Sequence, residues 1–274
     1  MTTQIPVLSR RERRFFLAGV CIVSGLTSGR CYSQQAEPVK RPGVLEIVYS
    51  HMVSGDSFQA ADFVESHGTP LEIANTYSVL VQDLYSKKRD LPRMILLGRA
   101  GIHYCLSQAT RPGGQKPAQT DQLRGIAKTI AYNLSANAWP GWNEPGIEVS
   151  HSDTVAAFDV ARLNLRLAGE LKRDGEGLGN AHWLLGAQHL ALKQHAAAIE
   201  QFSKAVEQFQ RARKPDFEQM ARGYIGIATL ASDRTSGAGR KQLSDAIASL
   251  KDLGTDDAKF FAEQLDSVAR YFTK

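Results

Sequence analysis

Residues 179–212 constrain the fold more than any other part of the chain, because they hold two amphipathic helical patterns on either side of a short polar break. The break consists of Lys193, Gln194 and His195, and it sets two neighbouring helices antiparallel. On both sides, apolar and small residues recur at intervals of three and four, the spacing that buries one stripe of a helix. The stretch therefore predicts a helix hairpin. Its buried stripes are Leu184, Leu185, Gly186, His189, Leu190 and Leu192 before the break, and Ala198, Ile199, Phe202, Ala205, Val206 and Phe209 after it.

This hairpin pattern resembles one repeat of the tetratricopeptide (TPR) family, in which an aromatic residue, Leu-Gly, a second aromatic residue, a turn, Ala, an aromatic residue and Ala follow one another. His182 and His189 depart from the pattern, since the family prefers Trp and Tyr at those positions. The resemblance implies an all-α fold, with antiparallel helix hairpins stacked as a short TPR-like solenoid. It also implies a non-catalytic scaffold or adaptor that binds a protein or peptide segment. The matching residues are Leu185, Gly186, Ala198, Phe202 and Ala205.

In the resembled family, the first helix of each pair lines the concave binding face, which here would carry Asn180, Trp183, Ala187 and Leu190. Because most of these residues are apolar, we expect an extended or helical protein segment to dock near Trp183. One subset of the family grips a free carboxylate with Lys and Asn, which Trp183 and Ala187 do not supply, so a free C-terminal peptide is not the expected ligand. Burial of Trp183 against the preceding helix is an equal alternative.

The rest of the chain also predicts helices. Thr69 and Glu72 form a capping box, with Pro70 in the first turn of the helix that follows. Residues 174–177 are predicted to stop a helix, and residues 236–239 are predicted as a loop. An amphipathic last helix is expected to close the open end of the stack as a C-terminal capping helix. The predicted helices cover residues 44–53, 58–66, 70–87, 92–108, 121–138, 153–173, 215–232 and 256–272.

The stretch 138–149 places Trp139 and Trp142 among prolines and glycines. Two interpretations are open: the rings cover the end of a helix layer, or they line a ligand groove. The second interpretation supports an alternative function, that of an all-helical enzyme or a small-ligand-binding protein. A pocket beside the rings that gathers polar or titratable groups would favour this alternative.

The net charge of +5 is concentrated at the start of the chain, since residues 1–36 hold five arginines against Glu12 and carry +4. The remainder has no basic face for nucleic acid, which is excluded as a partner. The arginines precede residues 15–27, an uncharged stretch shorter than the about 20 residues that span a bilayer. Such a stretch is typical of the apolar core of an export signal. Arg13 and Arg14 also resemble a twin-arginine export motif.

These patterns predict three parts: an export signal over residues 1–36, a linker over 37–43 and a helical-repeat domain over 44–274. The expected location is outside the cytoplasm, in the periplasm or cell envelope. The alternative is a chain anchored in the inner membrane by residues 15–27, which would then be its contact with the membrane.

No local pattern predicts a catalytic residue, a metal site or a cofactor. His182, His189 and His195 are spaced by seven and six positions, unlike the adjacent pair on one helix face that binds a metal. The sequence has no Gly-x-Ser-x-Gly nucleophile motif. Cys105 lies in an apolar helical pattern, which is typical of a core residue. We therefore expect a protein that is not an enzyme.

Overall fold

A computed structural model describes residues 43–111 and 116–274, and within these ranges the chain is all-α, with eleven α-helices and no strand. The predicted export signal and residues 37–42 of the predicted linker lie outside the described residues. A π-helical turn at Leu84–Lys88 follows α3, and a 3-10 turn at Pro140–Trp142 follows α5. The helices are α1 (Val44–Val53), α2 (Ser57–Glu65), α3 (Pro70–Asp83), α4 (Leu91–Thr110), α5 (Pro117–Asn137), α6 (His151–Glu170), α7 (Gly175–Ala191), α8 (His195–Arg211), α9 (Pro215–Ser232), α10 (Gly237–Leu253) and α11 (Asp256–Phe272).

Side-chain caps determine where several helices begin. At α3, the Thr69 hydroxyl accepts from the Glu72 N–H, and the Glu72 carboxylate accepts from the Thr69 N–H at 2.8 Å. Ser150 and Asp153 form the same reciprocal pair at α6. Thr255 caps α11 through its hydroxyl. Each cap satisfies an amide that has no partner within its helix, and the capping box predicted at Thr69 and Glu72 is confirmed.

Two segments predicted as breaks also contain helix starts. Residues 174–177 follow the end of α6, as predicted, but they already form the first turn of α7. There the Asp174 carboxylate accepts from the Gly177 N–H at 2.8 Å. The prediction of a loop over residues 236–239 is wrong, because Ser236 caps α10 and the helix begins at Gly237. Glycine disfavours a helix by about 1 kcal/mol relative to alanine, and an N-terminal cap is worth about as much in the opposite direction.

The helices pack mainly against their neighbours in sequence, as antiparallel hairpins that stack side by side. In the hairpin of α7 and α8, a Cβ on Gly186 would lie 2.7 Å from the Phe202 ring, and a Cβ on Gly179 would lie 2.5 Å from the Phe209 ring. The missing side chains therefore let these two helices approach closely. Contacts of α3 with α5 and of α9 with α11 connect successive hairpins. The predicted fold class, a short all-α solenoid with a C-terminal capping helix, is confirmed.

Two apolar cores meet at α5 and α6. The first core is built mainly from α1 to α6, and the second mainly from α7 to α11. On α5, Ile130 and Leu134 belong to the first core, whereas Tyr132 and Ala136 belong to the second. Trp139, which follows α5, also belongs to the second core. Because side chains on one helix point in different directions, α5 serves both cores, and the turn after it lies at their junction.

Candidate functional site

The 3-10 turn after α5 is held in place by two indole N–H groups. Trp139 Nε1 donates to the carbonyl oxygen of Ala187 on α7 at 2.7 Å, and Trp142 Nε1 donates to the carbonyl oxygen of Ala136 on α5 at 2.6 Å. Pro140 cannot continue α5, so the chain turns here. The two hydrogen bonds therefore attach the turn to α5 and to α7.

Trp139 lies at the centre of an aromatic cluster. Its ring centroid is 4.8 Å from that of Trp142, 6.4 Å from that of Trp183 and 5.6 Å from that of Phe272 on α11. These distances are those of favourable tilted and edge-to-face aromatic pairs. Only 1% of the Trp139 surface is exposed, as the packing interpretation of this ring requires. The structure thus brings together two stretches that the sequence presented as separate candidate sites.

The face of α7 that was predicted to bind a partner lies under this cluster. Trp183, Ala187 and Leu190 are buried, whereas Asn180 is half-buried. The Trp139 ring packs on Trp183, and the Trp139 N–H donates a hydrogen bond to the Ala187 carbonyl oxygen. These two contacts cover this face of α7 and keep it from solvent. An exposed fraction of 5% for Trp183 agrees with the alternative that it is a packing residue. Contact between a partner and these side chains stays a prediction, and it would require the turn to move.

A cleft of about 90 Å³ lies beside the turn. It is bounded by the turn, the end of α5, the π-helical turn and α11, and its lining includes Tyr85, Asn137, Trp142, Glu144 and Tyr271. The structure therefore joins Trp142, a predicted ligand residue, to polar groups from several other elements. Small-molecule sites combine aromatic rings with a few polar groups, as this cleft does, but they usually occupy about 300–1,000 Å³. The cleft therefore suits only a very small ligand.

Glu144 supplies the carboxylate of this cleft, and Arg89 holds it in position. The Arg89 guanidinium lies 3.5 Å from the Glu144 carboxylate and also donates to the carbonyl oxygen of Pro145. Arg89 ends the π-helical turn in the left-handed region, at φ 55°. The Glu144 side chain is 17% exposed. These contacts connect the segment that follows the 3-10 turn to the first half of the molecule.

Two buried glutamines, neither of which was identified from the sequence, also stabilise this part of the molecule. Gln188 Nε2 donates to the carbonyl oxygen of Ser135 at 2.8 Å, which joins α7 to α5. Gln264 Nε2 lies 2.8 Å from the Tyr224 hydroxyl oxygen, which joins α11 to α9. Buried polar side chains generally require a hydrogen-bond partner. A glutamine within the apolar stripe of a helix is the signal that could have revealed these contacts.

Burial is the main cause of the shifted pKa values of Cys105, His182 and Lys128, and none of these residues lines the cleft. Burial raises the pKa of the Cys105 thiol to about 12, so this cysteine is a protonated, weak nucleophile at neutral pH. Burial lowers the pKa of His182. The pKa of Lys128 is lowered to about 8, mainly by burial and to a smaller extent by the positive charge of Arg173. Within residues 43–111 and 116–274, no group of three or more His, Cys, Asp or Glu side chains is placed to hold a metal ion.

No helix in the described part of the chain is both long enough and apolar enough to cross a membrane. No protein-family model matches the chain, and no curated protein matches its sequence. The function therefore has to be inferred from the geometry of the hairpins and of the cleft.

Proposed function

We propose that this protein is a non-catalytic helical-repeat adaptor of the tetratricopeptide type, which binds a protein or peptide segment. The observation that carries the proposal is the contact inside the hairpin of α7 and α8, where a Cβ on Gly186 would lie 2.7 Å from the Phe202 ring. Gly186 and Phe202 are two of the residues on which the resemblance to the family rests. The resemblance thus involves residues that pack closely against each other, and not only their order in the sequence.

We propose further that the protein acts outside the cytoplasm, because residues 1–36 combine arginines with an uncharged apolar stretch. The mass of the mature chain, purified from its host, tests this part of the proposal. Cleavage of an export signal follows a small residue, and Gly29, Ser33 and Ala36 are small residues after the apolar stretch. Loss of the residues up to one of these three would support cleavage during export. An intact chain in the membrane fraction would support anchoring by residues 15–27, and an intact chain in the cytoplasmic fraction would contradict both.

The surface that we propose for the partner is the margin of α7 around Asn180. Docking directly on Trp183 and Ala187 would require Trp139 to leave the core, which would cost about 3–5 kcal/mol, as much as deleting a buried tryptophan side chain. A partner that uses the margin of the same face avoids this cost. Asn180 is half-buried and therefore accessible without any rearrangement.

Site-specific photocrosslinking in the host tests this surface. A photoreactive amino acid replaces Asn180 in the full chain, and a matched control replaces Glu200, an exposed residue on α8, the other helix of the same hairpin. We expect a discrete protein adduct from position 180 and none from position 200. Absence of the adduct at position 180, or adducts of equal yield at both positions, would contradict the proposed surface.

Small-ligand binding is a second candidate function, and the cleft beside Trp142 favours it. The cleft combines aromatic rings with Glu144 and the Asn137 amide, and it exists without rearrangement of the chain. Asn180 does not line the cleft. The protein could therefore bind a partner on α7 and a small ligand in the cleft independently.

A further inference from the structure

We propose that the partner segment carries an acidic side chain, and that Lys128 on α5 and Arg173 in the turn before α7 bind its carboxylate. This inference rests on the proposed adaptor function and specifies the chemistry of the partner. Arg173 is exposed and Lys128 is partly exposed, so a partner can reach both. Within residues 43–111 and 116–274, no carboxylate forms an ion pair with either of them.

The close approach of two glycines places the Arg173 guanidinium against α5. A Cβ on Gly177 would lie 3.0 Å from Arg173 Cβ, and a Cβ on Gly125 would lie 3.3 Å from Arg173 Nη2. The arginine side chain therefore reaches from the start of α7 to α5. Lys128 follows Gly125 by three residues, and residues at this spacing are neighbours on a helix surface. The two positive groups thus lie near each other on one side of α5.

Two acidic side chains near the start of α7, Asp174 and Glu176, do not cancel this positive charge. Asp174 raises the pKa of Lys128, but the opposite effect of Arg173 is larger. The Asp174 carboxylate also accepts a backbone N–H at 2.8 Å, as the cap of α7. Glu176 forms an ion pair with Lys214 at 2.7 Å. The charged neighbours of Lys128 therefore leave a positive potential at its ammonium, which attracts an added carboxylate.

Lys128 is a cation that the fold itself does not stabilise. Burial lowers its pKa to about 8, so at pH 7 it carries a positive charge with fewer water contacts than an exposed lysine. A carboxylate that reached the ammonium would supply an opposite charge and a charge-assisted hydrogen bond. Groups that weaken the fold in this way are expected mainly at functional sites.

The two cations lie beside the surface that we propose for the partner. Gln188 on α7 donates to the carbonyl oxygen of Ser135 on α5, which fixes the register of these two helices. Lys128 precedes Ser135 by seven residues, and Asn180 precedes Gln188 by eight. The two helices run in the same direction, since antiparallel α6 lies between them in sequence, and each rises by about 1.5 Å per residue. Lys128 and Asn180 therefore lie at nearly the same level, where one segment can contact both.

NMR titration of the full-length protein with N-acetylglutamate methylamide tests the inference, with N-acetylglutamine methylamide as the neutral control. The backbone amides of Gly125 and Gly177, which flank Arg173, report on the site in every variant. We expect saturable shifts with the glutamate probe and none with the glutamine probe at the same ionic strength.

Acetylglycine and inorganic phosphate distinguish other sources of negative charge. Tighter binding of acetylglycine than of the glutamate probe would assign the site to a chain terminus, and tighter binding of phosphate would assign it to a phosphate group. Either result would overturn the inference. Equal or weaker binding of both agrees with a side-chain carboxylate.

Two variants test the assigned roles. Lys128→Met should weaken binding of the glutamate probe about ten-fold, as expected for a lost hydrogen bond between charged groups. Arg173→Gln should weaken it about three- to five-fold, because ion pairs of exposed side chains are weaker. Arg162→Gln removes the same charge from an exposed site on α6 and should leave binding unchanged. Thermal melts identify any variant that has lost its fold.

The same variants connect the titration to the partner when they are combined with the photoreactive residue at position 180. We expect Lys128→Met and Arg173→Gln to lower the yield of the protein adduct, and Arg162→Gln to leave it unchanged. The inference fails if the glutamine probe binds as tightly as the glutamate probe, if no probe gives a saturable response, or if both folded variants behave like the unmodified protein. The adaptor proposal would survive these results as long as the adduct at position 180 still forms. Absence of that adduct would contradict the proposed surface and leave the probe titration valid.

Discussion

The two cores of this molecule are built differently. The second core holds the buried Trp and Phe rings of the described residues, whereas glycines meet rings in both cores, as Gly186 meets Phe202 in the second and Gly101 meets Tyr77 in the first. The first core relies more on aliphatic side chains, with Tyr77 as its largest fully buried residue. Its helices also carry nearly all the exposed large apolar side chains of the described residues. These are Val44, Val53, Phe58, Val79, Leu96 and Val155, whereas Leu253 stands alone on the helices of the second core.

This difference shows how tightly a local motif can determine packing. In the second core, each hairpin buries its stripe against the next helix in sequence, so a pattern within 34 residues, 179–212, is enough to predict the contact. The first core leaves part of its apolar surface uncovered, and its packing is less evident from spacing alone. Trp139 joins the two, because it follows the shared helix α5 and packs into the second core.

Trp139→Ala should have the largest effect on stability and should break the connection between the cores. The ring is almost fully buried and its N–H bonds the Ala187 carbonyl. We expect the free energy of unfolding to fall by about 3–5 kcal/mol. Urea denaturation followed by far-UV circular dichroism and by tryptophan emission measures this loss. If the cores are coupled through Trp139, the two probes should also report separate transitions in the variant.

Trp142→Ala provides the matched control for this experiment. Trp142 lies in the same turn and also bonds a backbone carbonyl, but its ring is only half-buried. Its replacement should therefore cost clearly less than that of Trp139. Equal losses for the two variants would mean that the turn as a whole, and not the buried ring, connects the cores.

Gly226→Ala and Gly98→Ala compare the close approaches of the two cores. A Cβ on Gly226 would lie 2.7 Å from the backbone nitrogen of Leu243, which cannot rotate away, so α9 and α10 would have to separate. We expect a loss of about 2–3 kcal/mol. A Cβ on Gly98 would lie 2.6 Å from Leu134 Cδ1, the end of a flexible side chain. Moving the Leu134 side chain to make room for this Cβ costs free energy, but alanine gains about 1 kcal/mol over glycine in a helix. The net loss of stability should therefore be small.

Gly169→Ala is the control for helix propensity in this series. Gly169 is exposed on α6, and a Cβ there would meet nothing within 4 Å. The substitution should raise the free energy of unfolding by about 0.5–1 kcal/mol. Thermal and urea unfolding of the three glycine variants give the order of their stabilities directly. A Gly226→Ala variant as stable as the unmodified protein would show that the contact of α9 with α10 is looser than the structure indicates.

The fold class and many helix boundaries could be predicted because they depend on local signals. The structure gives α1, α9 and α11 the predicted bounds, each set by periodicity together with a cap, a proline or a following glycine. The starts of α7 and α10 could not be predicted so well. Their first turns are rich in glycine, and only the capping side chains Asp174 and Ser236 show that a helix begins there.

The candidate site was much less predictable, because its residues come from distant parts of the chain. The sequence pattern indicates Trp142 as a possible ligand residue, but nothing near Tyr85 or Tyr271 indicates that they line the same cleft. The burial of Trp183 was one of two equal alternatives, and the choice depends on Trp139, which contacts it only after folding. Periodicity identifies which face of a helix is apolar, but it does not identify what covers that face.

A pH-dependent effect is expected at Lys128, which lies on helix α5, with its ammonium 5.9 Å from the ring centroid of Tyr132 in the second core. Burial, followed by the charge of Arg173, lowers its pKa from 10.5 to about 8. Between these two values, the unfolded chain binds a proton that the folded chain has released. The free energy of unfolding contributed by Lys128 therefore rises with pH across this window, and its charge is destabilising at pH 7.

Lys128→Met should consequently stabilise the protein at pH 7, by about 1 kcal/mol after allowance for the partial exposure of the side chain. The advantage should shrink between pH 8 and 10.5, where the unmodified lysine loses its charge in the folded state. Urea denaturation of both proteins at pH 7, 8.5 and 10 measures the difference, and the titrations of Cys105 and the tyrosines affect both proteins alike. A gap that stayed constant with pH would assign the effect to packing of the methionine, and a gap that widened would mean that α5 stabilises the charged lysine at the junction of the two cores.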